Sequence, residues 1–143
     1  MSLAHEMPRR LIGRVLIVDG QADIRALVER ILTREGFPVI AVANGTEALA
    51  AMEGPAGRFG LLITEGILSG ASTMEVIEHA QMADPDCRVV IASAHLPDQL
   101  LQRGVDTGSY VLLAKPFDTS RLREAVNEAV GRKSAAPSEA GAV

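Results

Sequence analysis

Apolar residues follow two rhythms along this chain. Five short, nearly unbroken runs are strand-sized: residues 14–19 (RVLIVD), 38–42 (PVIAV), 60–65 (GLLITE), 88–93 (RVVIAS) and 110–114 (YVLLA). Between them, apolar residues recur at helical spacing. Ile24, Leu27, Val28, Ile31 and Leu32 share one helix face, closed by Gly36 just past the end. Asn44 and Glu47, then Ser72 and Glu75, have the spacing of capping boxes that open two further helices. Val76, Ile77, Ala80 and Ala83 give the second of these an apolar face, stopped by Asp84-Pro85-Asp86. Pro97 suits the first turn of a helix carrying Leu100, Leu101 and Val105. Leu122, Ala125, Val126, Ala129 and Val130 define the last helix.

Strand and helix therefore alternate five times. The strands are apolar throughout rather than alternating, so both faces of the sheet are covered. That predicts an α/β fold with a doubly wound parallel sheet in three layers, α/β/α. With 143 residues the chain suits one domain, placed at residues 14–131. Residues 1–13 read as a flexible arm, and the Ser-, Ala- and Pro-rich residues 132–143 as a disordered tail or linker.

Composition narrows the functions. Apolar residues are 48% but aromatics only 3%, so the core is aliphatic. A net charge of −4 argues against nucleic-acid binding by this domain. No apolar stretch reaches the roughly 20 residues of a membrane span. The single cysteine, Cys87, cannot form an intrachain disulfide, which fits a cytoplasmic setting, and it reads as a small strand-edge hydrophobe. His5, His79 and His95 lack ligand spacing and read as surface residues.

Ligands of parallel α/β sheets gather at the carboxyl ends of the strands. There the sequence places Asp19 after strand 1, Glu65 at strand 3, Ser93 at strand 4 and Lys115 after strand 5. An acid, an acid, a hydroxyl and a lysine in that order are hard to attribute to chance. A dinucleotide site would need Gly-x-Gly-x-x-Gly after strand 1, and a phosphatase with an aspartate nucleophile would need a second acid where Gln21 stands.

The stretches Val15-Leu16-Ile17-Val18-Asp19, Asn44-Gly45-Thr46-Glu47-Ala48-Leu49 and Lys115-Pro116-Phe117 resemble the receiver domains of two-component response regulators. The resemblance covers residues 14–130 and implies a flavodoxin-like (βα)5 fold with strand order 2-1-3-4-5. It implies a signalling module rather than an enzyme. In the family, a histidine kinase passes a phosphoryl group to an aspartate at the end of strand 3, beside a magnesium ion. Carried over, Glu65 stands at the phosphoacceptor position. Asp19 is the first acid of the acidic pair, and Gly20 replaces the second. The metal ligands would be Asp19, Glu65 and the backbone carbonyl of Ile67. Ser93 and Lys115 would sense the phosphoryl group. The aromatic switch position falls at Leu112, with Tyr110 two residues earlier on the same strand face.

These departures change the expected chemistry. With Gly20 in place of an acid, the resemblance implies weak magnesium binding. Glu65 moves the reacting oxygen by roughly 1 Å, a misplacement that can cost about 100-fold in rate. The longer carboxylate can instead reach toward Lys115 or Ser93 as a fixed negative charge. The expectation is an atypical receiver working independently of phosphorylation, or only weakly phosphorylated. The alternative is an ordinary receiver still phosphorylated at the strand 3 end. The expected partner is a histidine kinase or other signalling protein, met through the helix 4–strand 5–helix 5 face. A homodimer is compatible with the sequence.

Overall fold

The structure is a computed structural model and describes residues 12–54 and 57–132. In chain order the elements are β1 (Val15–Val18), α1 (Ala22–Arg34), β2 (Val39–Val42), α2 (Gly45–Glu53) and β3 (Leu61–Glu65). They continue as α3 (Thr73–Ala83), β4 (Arg88–Ser93), α4 (Pro97–Gln102), β5 (Val111–Ala114) and α5 (Thr119–Gly131). The five strands form one sheet in the order β2-β1-β3-β4-β5, every pairing parallel. The parallel, doubly wound sheet is the one the apolar pattern predicts, and its strand order is the flavodoxin-like one that the receiver resemblance implies.

Both sheet faces are covered, which is why the strands carry no polar alternation. Ile17, Ile63, Val90 and Leu113 pack under α1 and α5, against Val28, Leu32, Leu122 and Val126. Leu16, Leu62, Val89 and Ile91 face α2, α3 and α4, against Ala48, Ile77 and Leu100. At about 25 cal/mol per Å² of apolar area removed from water, these two layers are the main force holding the fold.

The helix boundaries follow local chemistry. Gly36, at φ 96°, turns the chain out of α1 in the left-handed region. Ser72 and Glu75 form the expected capping box, each side chain accepting the other's backbone N–H. Asn44 caps α2 by accepting from Glu47 N at 2.9 Å, but the Glu47 carboxylate reaches one residue further back, to Ala43 N. The helix expected to carry Leu100, Leu101 and Val105 is shorter. It stops at Gln102, Leu101 is 53% exposed, and Val105 lies beyond the turn at Gly104. Gly104 adopts φ 86°, and Val105 N donates back to the Leu100 carbonyl, so Val105 reaches the core from outside the helix.

Ile12, counted in the arm, is buried against the same core as β1. The rest of the arm other than Gly13, the tail beyond Arg132, and His5 lie outside the described residues. Among the described residues no helix is long and apolar enough to cross a membrane.

Candidate functional site

Strand register brings the chosen residues to one edge. Val18 pairs with Thr64 and Glu65 with Ala92, while Ser93 pairs with Ala114. Asp19 follows β1, its N–H bonded to the Val42 carbonyl at 3.1 Å, and is 3% exposed. Lys115 follows β5, its N–H bonded to the Ser93 carbonyl at 2.9 Å. The Lys115–Pro116 bond is cis.

The lysine organises the electrostatics. Its ammonium lies 2.9 Å from Asp19 Oδ2 and 3.4 Å from Glu65 Oε2, and donates to Gln21 Oε1 at 2.7 Å. An ammonium has three donors, and here each has an acceptor. The Lys115 and Asp19 side chains are almost fully buried, whereas that of Glu65 is 22% exposed. The remaining carboxylate oxygens are also engaged. Asp19 Oδ1 accepts from Gln21 N at 2.9 Å, and Glu65 Oε1 accepts from Gly20 N at 3.2 Å. The Glu65 side chain thus leans toward the β1 end of the pocket.

Ser93 is 5% exposed, and its hydrogen bonds run to the chain that follows it. Its hydroxyl oxygen accepts from His95 N at 3.0 Å and lies 3.3 Å from His95 Nδ1. Tyr110 and Leu112 are half-buried on the same side of β5, packed on the α2–α3–α4 layer. Burial, then the nearby Asp106 and Glu78 carboxylates, push the Tyr110 hydroxyl above its usual pKa. Ile67 sits half-buried in the loop after β3.

Over residues 15–127 the chain matches the response regulator receiver domain family. It belongs to that family. It is 30% identical to the sporulation initiation phosphotransferase F of Bacillus subtilis, over 85% of this chain and 96% of that protein. It is 29% identical to the chemotaxis protein CheY of the same organism, over 80% of this chain and 95% of that one. The match to the C4-dicarboxylate transport regulator DctD of Rhizobium meliloti covers 80% of this chain but only 25% of that protein. Among solved structures, a response regulator receiver protein from Sinorhizobium medicae superposes with TM-score 0.70 at 26% identity, covering 82% of this chain and 94% of that one. The receiver domain of the hybrid histidine kinase CckA superposes with TM-score 0.66 at 29% identity, covering 82% and 99%. Receiver domains of this family act in two-component signalling and interact with histidine kinases and other signalling proteins.

Receivers generally bind magnesium at the phosphorylation site, but the donor set here does not fit a tightly held ion. Mg²⁺ needs oxygen ligands at about 2.0–2.1 Å in octahedral array. This receiver pocket offers two carboxylates, both already paired to one ammonium. Gly20 supplies none, although a Cβ there would meet nothing closer than the Ala43 carbonyl at 3.5 Å and Glu65 Oε1 at 3.6 Å. Among the described residues no group of three or more acids, histidines or cysteines could hold a metal.

Several pocket residues escaped the sequence reading. Gln21 supplies an acceptor to Lys115, and Arg25 donates to the Asp19 carbonyl at 2.8 Å. Thr73 donates to the Gly66 carbonyl at 2.8 Å, tying α3 to the end of β3. Arg25 lies one helical turn after Gln21, a spacing that places it near the β1 end. Thr73 gives no comparable signal, because its contact spans a loop.

Proposed function

We propose that this receiver works as a phosphorylation-independent, or at most weakly phosphorylated, interaction module in two-component signalling. Glu65 takes the place of the phosphoacceptor aspartate, and its carboxylate provides a fixed charge. The observation that carries this reading is the pairing of Glu65 with Lys115 and with the Gly20 N–H, at 3.4 Å and 3.2 Å. Both carboxylate oxygens are committed, so attack on a phosphoryl donor would first break these bonds. Phosphoryl transfer depends on positioning and charge neutralisation. Glu65 is displaced for the first, and a pocket with two acids is poor in the second. Magnesium binding in this reading is weak.

Ser93 and Lys115 remain as the sensing residues, with Lys115 already answering to Glu65. Leu112 replaces the aromatic readout, and Tyr110 offers an aromatic ring on the same face of β5. The partner, a histidine kinase or another signalling protein, is met through the α4–β5–α5 face, where α4 exposes Leu101.

The test is to incubate the full chain with acetyl phosphate and Mg²⁺ and to weigh it intact. The expected result is no phosphoryl adduct on the wild type and one adduct on the Gly20→Asp, Glu65→Asp double variant. A wild-type adduct as abundant as that of the double variant, and lost in Glu65→Ala, would overturn the reading and favour an ordinary receiver.

A further inference from the structure

We propose that the cavity between the start of α3 and the turn after α4 is a ligand site apart from the Glu65 pocket, and that it takes a small organic anion, a carboxylate carried on an apolar body of about six carbons. The cavity holds about 210 Å³. The chain makes it by leaving α4 early. Gly104 turns at φ 86°, Val105 N donates back to the Leu100 carbonyl, and Arg103, Gly104 and Val105 become one wall. The facing wall is the loop after β3 and the first turn of α3, where Ile67, Leu68 and Met74 are each half-buried. Asp19, Glu65, Ser93 and Lys115 take no part in the lining. At Gly66 a Cβ would lie 2.6 Å from Leu100 Cδ2 and 2.9 Å from Ser93 Oγ, so packed side chains fill the space on that side.

Size and chemistry define the occupant. A dry cavity of about 150 Å³ takes benzene. At about 210 Å³ this one has room for roughly two or three further non-hydrogen atoms, the size of a carboxylate on a ring. An apolar body there would take the half-buried Ile67, Leu68 and Met74 out of water, which is the driving force for binding. The sign of the charge comes from Arg103, the one ionisable residue among the described residues of the lining. Its side chain is exposed, and among the described residues it makes no hydrogen bond or ion pair. The acids nearest to the lining in sequence are engaged elsewhere. Asp106 accepts from Gly108 N and Ser109 Oγ, and Glu75 accepts from Ser72 N. The Thr73 hydroxyl already donates to the Gly66 carbonyl. A guanidinium with no carboxylate of its own, beside an apolar cavity, matches a ligand carboxylate through two parallel hydrogen bonds. The site goes beyond the proposed function and asks nothing of Glu65 or of phosphorylation.

Backbone amide chemical shifts of the full chain, titrated with sodium benzoate at fixed ionic strength, test the proposal. Benzoate should give saturable shifts at Leu68, Met74, Gly104 and Val105, with a dissociation constant on the order of 1 mM or below, the range for a ligand of about nine non-hydrogen atoms. Benzyl alcohol has the ring without the charge, and acetate the charge without the ring. Each should bind at least about tenfold more weakly than benzoate. Arg103→Gln should weaken benzoate binding by about tenfold, and Arg103→Lys by less, since lysine keeps the charge but not the fork. Met74→Trp, which places an indole in the cavity, should abolish binding. Arg103 is exposed, so its variants keep the test decisive if Met74→Trp does not fold. The absence of saturable shifts at the cavity by about 10 mM benzoate overturns the proposal. So does benzyl alcohol binding as tightly as benzoate, an Arg103→Gln variant with wild-type affinity, or a folded Met74→Trp variant that still binds.

Discussion

Lys115 holds the pocket together by a division of labour between two carboxylates. Its bond to Asp19 is buried at both ends, while its bond to Glu65 reaches solvent. Removing one member of a buried pair strands the other, at a cost of about 3–5 kcal/mol. Lys115→Met should therefore destabilise the domain by about that amount in urea unfolding, because Asp19 is left charged and buried. Glu65→Gln should cost roughly 1 kcal/mol or less, since solvent screens the partly exposed pair. Equal losses for the two variants would show that the carboxylates are not distinguished by burial. Cys87 offers a second test at this scale. Burial, and next the Asp84 carboxylate, push its thiol from 9.0 up to about 12. The folded state therefore favours the neutral thiol. That contribution is fully present below pH 9.0 and is lost as the pH rises through about 12. Stability of the wild type should fall more steeply across that window than stability of Cys87→Ala.

Individual elements are positioned by local chemistry that reaches across loops. The start of α2 sits tightly against the loop before α3: Gly45 N donates to the Ser69 carbonyl at 2.9 Å, and a side chain on residue 45 would run into the Ala71 carbonyl. Gly45→Ala should cost about 1–3 kcal/mol, the range for overpacking, even though alanine is the better helix former. A gain in melting temperature for that variant would mean the loop yields freely. Helix signals in the sequence were legible where they were local. Ser72 and Glu75 close their box within one turn, and Gly36 ends α1 through its own backbone. The length of α4 was not legible. Leu100, Leu101 and Val105 fit a helical face, yet the chain leaves the helix at Gly104, and Val105 gains more by returning to the core through the turn.

For the whole molecule, the sheet gathers four chain segments that are far apart in sequence into one pocket whose two acids share one lysine. The charge balance predicts the metal response. Wild-type stability should be nearly unchanged by millimolar Mg²⁺, whereas the Gly20→Asp, Glu65→Asp variant should gain. At ten times its dissociation constant, bound Mg²⁺ would add about 1.4 kcal/mol to unfolding. A wild-type gain of the same size would show that two carboxylates suffice.

Strand positions, helix faces and the set of polar strand ends could be read from the chain alone, because period, apolar runs and caps are properties of neighbouring residues. Parallel packing followed from strands apolar on both faces. Asp19, Glu65, Ser93 and Lys115 stood out because strand ends are where such a sheet exposes chemistry. The direction each side chain takes depended on the tertiary structure. Glu65 leans to the Gly20 N–H and Lys115, Ser93 turns to His95, and Gln21 joins from the start of α1. The Ser93–His95 contact is local, but the other two choices rest on distances between residues dozens of positions apart. They are decided by register, by the space left at Gly20 and Gly66, and by competition for a few buried donors, none of which is encoded in any one stretch of sequence.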